Sequence, residues 1–420
     1  MKFENIVFFS PSMITGGAEY YFIRLAEYIA DYHQEFRVYY TEFTDGFAKK
    51  VIRSKNVKYL DYTKGKKTTV PDNSVICFSL NFSPQIDKLI SYNRENSNFM
   101  IWVMHYRHLS SSYTMDNYYK VGKKCRKEVG THLEKLSDLG VLKFLGNVGY
   151  LKLSQQFLFN YHPIEALPIP VSTEKYGVDT PVNRQLKDVV RFCWLGRLDK
   201  EKSRNILTYM NELENLNKND SVQMSLIGVG PAETMLRKES SKYSFRIDFV
   251  GEKREDELDD FIRKNVDVGL ASGTSSMEFA LRKVPVIQDW LLDRVYKAGE
   301  RDTYYLYGQT SEISEITPTS YRFKSMGSFK SKFFDLKEHY NDRCEESYTF
   351  VMSYSVSCCV DKFLEALSKL ETADAKDCYL HIDALNEITL KARNNWMEKL
   401  HLRRLFVPIC KLFSVTPAVI

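Results

Sequence analysis

The sequence predicts an α/β protein built from two parallel-sheet domains in tandem, and three observations support this fold class. The chain has 420 residues, whereas a single hydrophobic core usually stops growing near roughly 250–300 residues. Short apolar runs alternate with segments of helical periodicity in both halves, as in parallel sheets crossed by helices. A turn-rich segment interrupts this alternation once, so we expect one domain on either side of it.

The first domain is predicted to span residues 1–172. Its short apolar or β-rich runs have the composition of buried parallel strands, and they lie at 6–10, 38–42, 75–79 and 100–104. After the first run, apolar residues recur on one face of a helix, and they are Phe22, Leu25, Ala26, Ile29 and Ala30. A strand followed by a helix is therefore the predicted repeating unit.

Residues 173–188 are the predicted linker, because prolines stand just before them and the stretch itself is polar and turn-rich. The alternation restarts in a predicted second domain at 189–372, with strands at 190–195, 223–227, 245–250, 266–271 and 284–288. Residues 373–420 form a predicted helical tail, in which 388–413 holds six Lys or Arg against one acid, Glu398. Such a basic amphipathic helix suits a membrane interface. Packing back on the first domain is an equal alternative.

The amino-acid composition argues against several classes of protein. The formal net charge of +5 is too weak to indicate nucleic acid as a partner, although it tolerates an anionic membrane or ligand. Eight cysteines are scattered without a C-x-x-C pair, so neither a disulfide framework nor a zinc site is indicated. No signal peptide and no run of ~18–20 apolar residues is found. We expect a cytoplasmic protein.

Two loops that follow predicted strands offer groups for binding an anion. Gly16 and Gly17 allow the backbone to approach a ligand, and the helix that follows turns its positive end to the same place. A tight turn alone is the competing interpretation. In the second domain, Arg197 lies directly after a strand and Lys202 five residues later, so both cations can meet a leaving diphosphate. Solvated surface charge is the alternative there.

A third loop, residues 272–278, precedes a helix with small hydroxyl residues at its head. Thr274 and Ser275 offer N–H and O–H donors for phosphate oxygens. Glu278 has two possible roles. Ser275-x-x-Glu278 is the spacing of a capping box, in which the carboxylate satisfies an N–H at the helix end. The same carboxylate can instead accept hydrogen bonds from ribose hydroxyls.

Five motifs stand in the order seen in glycosyltransferase family 4, the group 1 glycosyltransferases, and the chain resembles this family from residue 3 to about 370. They are Gly-Gly-Ala-Glu at 16–19, Gly-Arg-Leu at 196–198 with Lys202, Ile-Gly-Val-Gly-Pro at 227–231, Phe-Val-Gly-Glu at 249–252, and Glu-Phe-Ala-Leu-Arg-Lys-Val-Pro-Val-Ile at 278–287. The resemblance implies the B-type glycosyltransferase fold, with two Rossmann-like domains facing across a cleft. It also implies a retaining transfer from a nucleotide-sugar.

The resemblance implies a role for each matching residue. Arg197 and Lys202 would bind the diphosphate and serve catalysis, and Glu278 would hold the ribose. The other donor-binding positions are Gly16, Gly17, Gly251, Thr274 and Ser275. His105, after the strand at 100–104, resembles the family's acceptor-side histidine and is the third catalytic candidate. His108 is its competitor, and a structural role at the strand end is an alternative for either.

Two positions depart from the family pattern. Many members carry a second glutamate eight positions before the residue matched by Glu278, and here that position is Leu270. Ser203 stands where a glycine usually follows the lysine. The sequence contains no D-x-D triplet, so we expect no metal and no other cofactor, with cationic side chains and helix ends stabilising the diphosphate.

These motifs favour a cytoplasmic transferase, peripheral on the membrane through 388–413, that acts on a glycan or lipid-linked glycan in cell-surface polysaccharide biosynthesis (lipopolysaccharide, capsule or exopolysaccharide). The polysaccharide role rests on the resemblance. A degenerate, non-catalytic glycosyltransferase-like scaffold is the alternative that Leu270 and Ser203 raise. A sugar-nucleotide epimerase on the same fold is another, and it would need acids poised for proton abstraction.

Overall fold

The structure is a computed structural model, and it describes residues 3–11, 17–63, 65–104, 123–160, 162, 166–173, 186–289, 291–309, 326–370 and 374–399. The chain divides into two compact units. Unit 1 comprises residues 1–168 and 359–420, and unit 2 comprises residues 169–358. Each unit has its own sheet and hydrophobic core.

Unit 1 is built on a six-stranded parallel sheet with the order β3-β2-β1-β5-β7-β8. Its strands are β1 Asn5–Phe9, β2 Arg37–Phe43, β3 Lys58–Tyr62, β5 Ser74–Ser79, β7 Asn98–Val103 and β8 Leu142–Phe144. A separate short pair is formed by β4 Thr68–Thr69 and β6 Ile90–Ser91. Strands β1, β5 and β7 are buried along their whole length, as expected for a sheet covered on both faces.

The helices of unit 1 connect these strands. They are α1 Gly17–Tyr32, α2 Ala48–Val51, α3 Ile86–Leu89 after a 3-10 turn at Leu80–Gln85, α4 Lys123–Asp138 and α5 Asn147–Phe157. The apolar residues that predict the first helix, 22, 25, 26, 29 and 30, are all buried. Their 3.6-residue spacing therefore marks the face that packs on the sheet.

Unit 2 repeats the plan with the sheet order β11-β10-β9-β12-β13-β14. Its first five strands run parallel, and they are β9 Val189–Leu195, β10 Ser221–Ile227, β11 Arg246–Gly251, β12 Val268–Ala271 and β13 Val286–Gln288. Strand β14, Tyr305–Leu306, adds an antiparallel edge. The helices are α6 Lys200–Leu216, α7 Glu233–Ser240, α8 Glu255–Asn265, α9 Thr274–Leu281 and α10 Phe329–Met352.

The chain returns to unit 1 through α11, Val356–Leu370. Phe363 of this helix lies 6.3 Å from the ring of Phe8 and stacks on Trp102 at 6.0 Å. The contacts therefore divide the chain near residue 358, earlier than the predicted boundary at 372. Aromatic packing onto unit 1 is the physical reason, and helical periodicity alone does not show which core a helix joins.

The last described helix, α12 Ala375–Lys399, also packs on unit 1. The guanidinium of Arg94 donates to Asp383 at 2.7 Å and lies 4.9 Å above the ring of Tyr379. The hydroxyl of Tyr379 in turn donates to the carbonyl of Ser97 at 2.9 Å. Most of the predicted basic segment 388–413 lies beyond this helix and outside the described residues. Within the described ranges, no helix has the length and apolar character to cross a bilayer.

A histidine pair also joins α12 to α4. The Nδ1 atoms of His132 and His381 lie 2.9 Å apart, so one neutral ring donates to the other. Burial and then the nearby His381 lower the pKa of His132, while Glu128 on the same helix opposes that shift. His381 also has Asp377 at 4.0 Å from its Nε2. The contact therefore belongs to the neutral form of His132.

This contact predicts a loss of stability in mild acid. Because the folded state disfavours protonated His132, stability falls as the pH drops below the unfolded value of about 6.5 and through the lower folded pKa. We expect the melting temperature to fall between pH 7.5 and 5.5, and to fall less for His132→Gln. Thermal unfolding at both pH values measures the difference. His162→Gln, which replaces an exposed histidine of the same unit, should keep the wild-type response. Equal losses in His132→Gln and wild type would contradict the assignment.

Candidate functional site

The loop after β9 turns sharply at the carboxyl end of that strand. Gly196 has a φ of 149°, a conformation that favours glycine. Asp199 is the N-cap of α6, and its side chain accepts a hydrogen bond from the backbone N–H of Lys202 at 2.8 Å. Arg197 thus lies in the turn, and Lys202 lies in the first turn of the helix.

Among the described residues, neither of these two cations has an ion-pair partner closer than 3.5 Å. The side chain of Arg197 is 81% exposed, and its Nη2 atom is 3.5 Å from Oδ2 of Asp199. An exposed pair of that kind contributes at most about 1 kcal/mol. Lys202 is half-buried, and its ammonium has no ion-pair partner in the part of the chain that the structure describes. The strand end therefore presents net positive charge next to a helix amino terminus.

Glycines bring the loop after β10 against the loop after β9. A Cβ on Gly228 would lie 2.0 Å from the carbonyl oxygen of Gly196, and a Cβ on Gly230 would lie 2.4 Å from that of Leu198. The backbone N–H of Leu198 donates to the carbonyl of Val229 at 3.0 Å. The predicted motif at 227–231 is thus a close backbone crossing that only glycine permits at these two positions.

Gly251, a predicted donor-binding residue, ends β11. Its φ is 81°, and a Cβ built on it would meet no atom within 4 Å. Its carbonyl accepts a hydrogen bond from the N–H of Gly228 at 2.8 Å. The loops that follow β9, β10 and β11 are therefore linked in series by backbone hydrogen bonds at one edge of the sheet.

The loop after β12 leads into α9, and its N-cap is Gly273, with φ 62° and ψ −139°. The predicted loop 272–278 is shorter than expected, since Thr274 and Ser275 already form the first turn of the helix, and both are half-exposed. The capping-box interpretation of Ser275 and Glu278 is wrong. The helix begins one residue before Ser275, so Glu278 has no orphan N–H of an N-cap at Ser275 to satisfy.

Glu278 is held by an arginine instead. Its Oε2 atom accepts a hydrogen bond from Nη1 of Arg282 at 2.9 Å, and the carboxylate is 31% exposed. Arg282 is almost fully buried and also pairs with Asp259 of α8. The carboxylate is therefore fixed in orientation while part of it remains open to solvent.

The first turn of α9 lies beside the loop after β9. A Cβ on Gly196 would lie 3.6 Å from Nε1 of Trp194 and 3.8 Å from Oγ of Ser275. The structure therefore brings Ser275 next to the turn that carries Arg197. The amino termini of α6 and α9 therefore both lie at the carboxyl ends of the neighbouring strands β9 and β12, where open parallel sheets bind ligands.

Sequence reasoning missed the buried polar groups beneath this edge. Asp289, directly after β13, pairs with Arg301 through contacts of 2.5 and 3.1 Å, and both side chains are buried. The segment 291–301 is fastened to α6 by several polar residues on one helix face, namely Arg204, Asn205, Thr208, Asn211 and Glu212. Their i, i+1, i+4, i+7, i+8 spacing is the signal in the sequence that predicts a covered polar face.

Burial raises the pKa of Glu212 on that face, although hydrogen bonds from the N–H of Gly299 and the hydroxyl of Tyr304 oppose the shift. The residue lies nearly three turns along α6 from Lys202. It secures the segment 291–301 and does not belong to the strand-end edge.

Several site predictions fall outside the described residues. Gly16, His105 and the competitor His108 are among them, so their positions stay predictions. Gly17 begins α1 after β1, as the sequence predicts. No group of three or more His, Cys, Asp or Glu side chains that could hold a metal ion occurs within the described ranges.

Neither a family model nor a curated protein sequence matches the chain. Solved structures do match along nearly its whole length. A glycosyltransferase from Rickettsia africae has a TM-score of 0.52 and 13% identity, covering 89% of this chain and 100% of that one. The trehalose-6-phosphate synthase OtsA has a TM-score of 0.52 and 11% identity, covering 88% and 99%.

The apo form of WaaB, a lipopolysaccharide outer core galactosyltransferase, has a TM-score of 0.51 and 13% identity, covering 87% of this chain and 99% of that one. These likenesses define the class of fold. The chain has the α/β fold of B-type glycosyltransferases, with two Rossmann-like parallel-sheet domains, and this prediction is confirmed. Membership of family 4 stays a prediction.

The crossing of the two loops predicts different outcomes for two glycine substitutions. Gly228→Ala combines an unfavourable φ of 141° with a Cβ only 2.0 Å from a backbone oxygen. Gly251→Ala has an unfavourable φ of 81° with open space around the Cβ. We expect Gly251→Ala to lower the free energy of unfolding by about 1 kcal/mol, and Gly228→Ala to lower it by about 3 kcal/mol or more. Urea unfolding measures both, and equal losses would show that the crossing is not tightly packed.

Proposed function

We propose that this chain is a retaining, metal-independent glycosyltransferase that moves a sugar from a nucleoside-diphosphate-sugar to a glycan or lipid-linked acceptor. The observation that carries the proposal is that two helix amino termini, together with Arg197 and Lys202, lie at the carboxyl ends of neighbouring strands in unit 2, with Ser275 close to Gly196. A diphosphate is the ligand that such a concentration of N–H donors and cations suits best. The shared fold with glycosyltransferases supports the same chemistry.

The proposed roles follow from the geometry of each side chain. Arg197, being exposed and only weakly paired, is available to a phosphate oxygen, and the ammonium of Lys202 adds a second positive charge. Thr274 and Ser275 supply N–H and O–H groups at the start of α9. Glu278, oriented by Arg282, accepts from the ribose hydroxyls. Gly251 leaves open space where β11 ends, so a ligand can approach its backbone.

In the proposed reaction, the bond between the anomeric carbon and the phosphate oxygen breaks and a bond to the acceptor oxygen forms on the same face. The acceptor hydroxyl gives its proton to the departing phosphate oxygen. The two cations stabilise the negative charge that develops on the diphosphate. The roles of Gly16 and Gly17 as N–H donors to phosphate, and of His105 at the sugar or the acceptor, are proposed from the resemblance to glycosyltransferase family 4. The name of a similar solved structure, a trehalose-6-phosphate synthase studied for glycosyl transfer with retention, supports the stereochemical part.

The proposed setting is cell-surface polysaccharide synthesis on the cytoplasmic face of the membrane. The similarity to WaaB, a lipopolysaccharide outer core galactosyltransferase, supports this setting. The basic composition of 388–413 supports contact with anionic lipid headgroups. Membership of family 4 is part of the same proposal, because all five motifs stand in register along the chain.

The first test is nucleotide binding by matched variants. Titration calorimetry with UDP, GDP, ADP and dTDP identifies the diphosphate that binds. For that nucleotide we expect Arg197→Ala and Lys202→Ala each to weaken binding about 10- to 100-fold, since each removes a charged phosphate contact of about 1.5–3 kcal/mol. Arg197→Ala should also abolish slow hydrolysis of the nucleotide-sugar.

Arg246→Ala is the matched control. It removes the same charge from an exposed arginine at the opposite, amino end of β11, and it should bind as wild type does. Failure of all four nucleotides to bind would favour the scaffold alternative. Unchanged binding in Arg197→Ala would reject the assigned site.

The second test concerns metal ions. If cations and helix ends stabilise the leaving diphosphate, the rate of sugar transfer or of nucleotide-sugar hydrolysis should change less than twofold when EDTA is added. A loss of more than tenfold that Mg²⁺ or Mn²⁺ restores would overturn metal independence. It would leave the transferase assignment in place.

A further inference from the structure

We propose that the indole N–H of Trp194 is a donor-binding group that hydrogen-bonds a phosphate oxygen of the nucleotide together with the hydroxyl of Ser275. The inference rests on the proposed function and names one more group of the same site. It starts from Trp194, which is 1% exposed. Its Nε1 atom has no hydrogen-bond partner among the described residues.

An unpaired buried N–H is unfavourable by about 1–3 kcal/mol. Core packing alone does not explain a tryptophan at this position, because a phenylalanine would fill the core without leaving an unpaired N–H. The ring packs among the apolar side chains of unit 2, 6.1 Å from the ring of Tyr209. Packing accounts for the aromatic ring, but it does not account for the N–H group.

The position of the N–H, at the carboxyl end of β9, explains why a tryptophan is found here. Trp194 is the next-to-last residue of β9, at the strand's carboxyl end. The Nε1 and Cζ2 edge of its ring faces the missing side chain of Gly196, at 3.6 and 3.7 Å from an ideal Cβ position. Oγ of Ser275 flanks the same point at 3.8 Å. Because a Cβ on Gly196 would be in ordinary van der Waals contact with both groups, its absence leaves space for about one methyl group between two hydrogen-bond donors that belong to different loops.

The groups around this space indicate which kind of ligand atom can bind there. An indole N–H only donates, so the group that fills this room must accept. The hydroxyl of Ser275 makes no hydrogen bond with the described residues, and it stands in the first turn of α9, whose positive end favours an anion. Arg197 is the next residue after Gly196. An anionic oxygen, such as one on a phosphate, satisfies all of these groups.

The test uses the full chain labelled with ¹⁵N at tryptophan. Four tryptophans give four indole N–H signals, and Trp194→Phe identifies the signal of Trp194 by its loss. With the nucleoside diphosphate that binds best among UDP, GDP, ADP and dTDP, we expect the Trp194 signal to shift downfield. Addition of the corresponding nucleoside, which lacks phosphate, should leave the signal in place.

Calorimetry supplies the second measurement. Trp194→Phe should weaken binding of that diphosphate about tenfold, while the affinity for the nucleoside stays the same. Tyr209→Phe is the matched control, because it removes a different buried polar group without a partner, a hydroxyl, from the same core, and its affinity should equal that of wild type. Ser275→Ala should reduce binding as well, and its effect should shrink when Trp194 is already Phe.

The outcomes separate this inference from the proposed function. A diphosphate that binds without moving the Trp194 signal, and with equal affinity in Trp194→Phe, would overturn the inference alone and assign the indole N–H to a buried water. Failure of every nucleotide to bind the wild-type chain would instead reject the proposed function. If Trp194→Phe does not fold, Trp102→Phe, Trp290→Phe and Trp396→Phe assign the other three signals, and the shift of the remaining signal in the wild-type chain decides the question.

Discussion

The candidate site depends on one steric constraint, which is that three backbone loops share the carboxyl edge of the unit 2 sheet without side chains between them. Gly228 and Gly230 pass within contact distance of the carbonyls of Gly196 and Leu198, and hydrogen bonds of 2.8 to 3.0 Å join the loops. Any Cβ at these crossings would force the loops apart. The positions of Arg197 and of the first turn of α6 follow from this packing, because the chain enters the helix directly from the crossing.

The net charge at the carboxyl edge of the unit 2 sheet depends on where the acidic residues lie. Asp199 is used as an N-cap, so its carboxylate is engaged with the N–H of Lys202 and offers only a contact of 3.5 Å to Arg197. Asp289 is paired with Arg301 beneath the surface, and Asp259 is paired with Arg282. Carboxylates are therefore bound to internal partners, whereas Arg197 stays exposed. From residue 197 to 202 the three cations Arg197, Lys200 and Lys202 outnumber the two acids Asp199 and Glu201, and such a distribution attracts an anion.

Much of the fold could be predicted because its main strands are short apolar runs buried on both faces. The predicted strands at 6–10 and 223–227 correspond to Asn5–Phe9 and Ser221–Ile227. Lys58–Tyr62 was missed because only Tyr62 in it is buried and the strand includes the exposed Lys58 and Asp61. Leu142–Phe144 was missed because three residues carry no periodicity. Both lie at the edges of the unit 1 sheet, where burial imposes the weakest pattern on a sequence.

The candidate site was predictable only in part, for a different physical reason. The motifs predicted which connections between a strand and the next helix contain Arg197, Lys202 and Ser275, because the order strand, loop, helix can be read along the chain. The partner of Glu278 was not predicted. A glycine took the N-cap of α9, and the carboxylate turned to Arg282 one helical turn on. The pair formed by Asp289 and Arg301 joins two irregular segments, and no spacing rule relates such segments.

The structure explains why Leu270 departs from the family pattern, in which many members carry a glutamate at this position. Leu270 is fully buried within β12 and packs in the same core as Trp194, so an acid at that position would be desolvated without a partner, at a cost of several kcal/mol. The polar residues of this loop begin instead at Ser272, after the strand ends. In the proposed function, the contacts that this loop makes with the substrate come from hydroxyl and backbone groups of residues 272–275. These groups are neutral donors, and they complement an anionic ligand better than a carboxylate would.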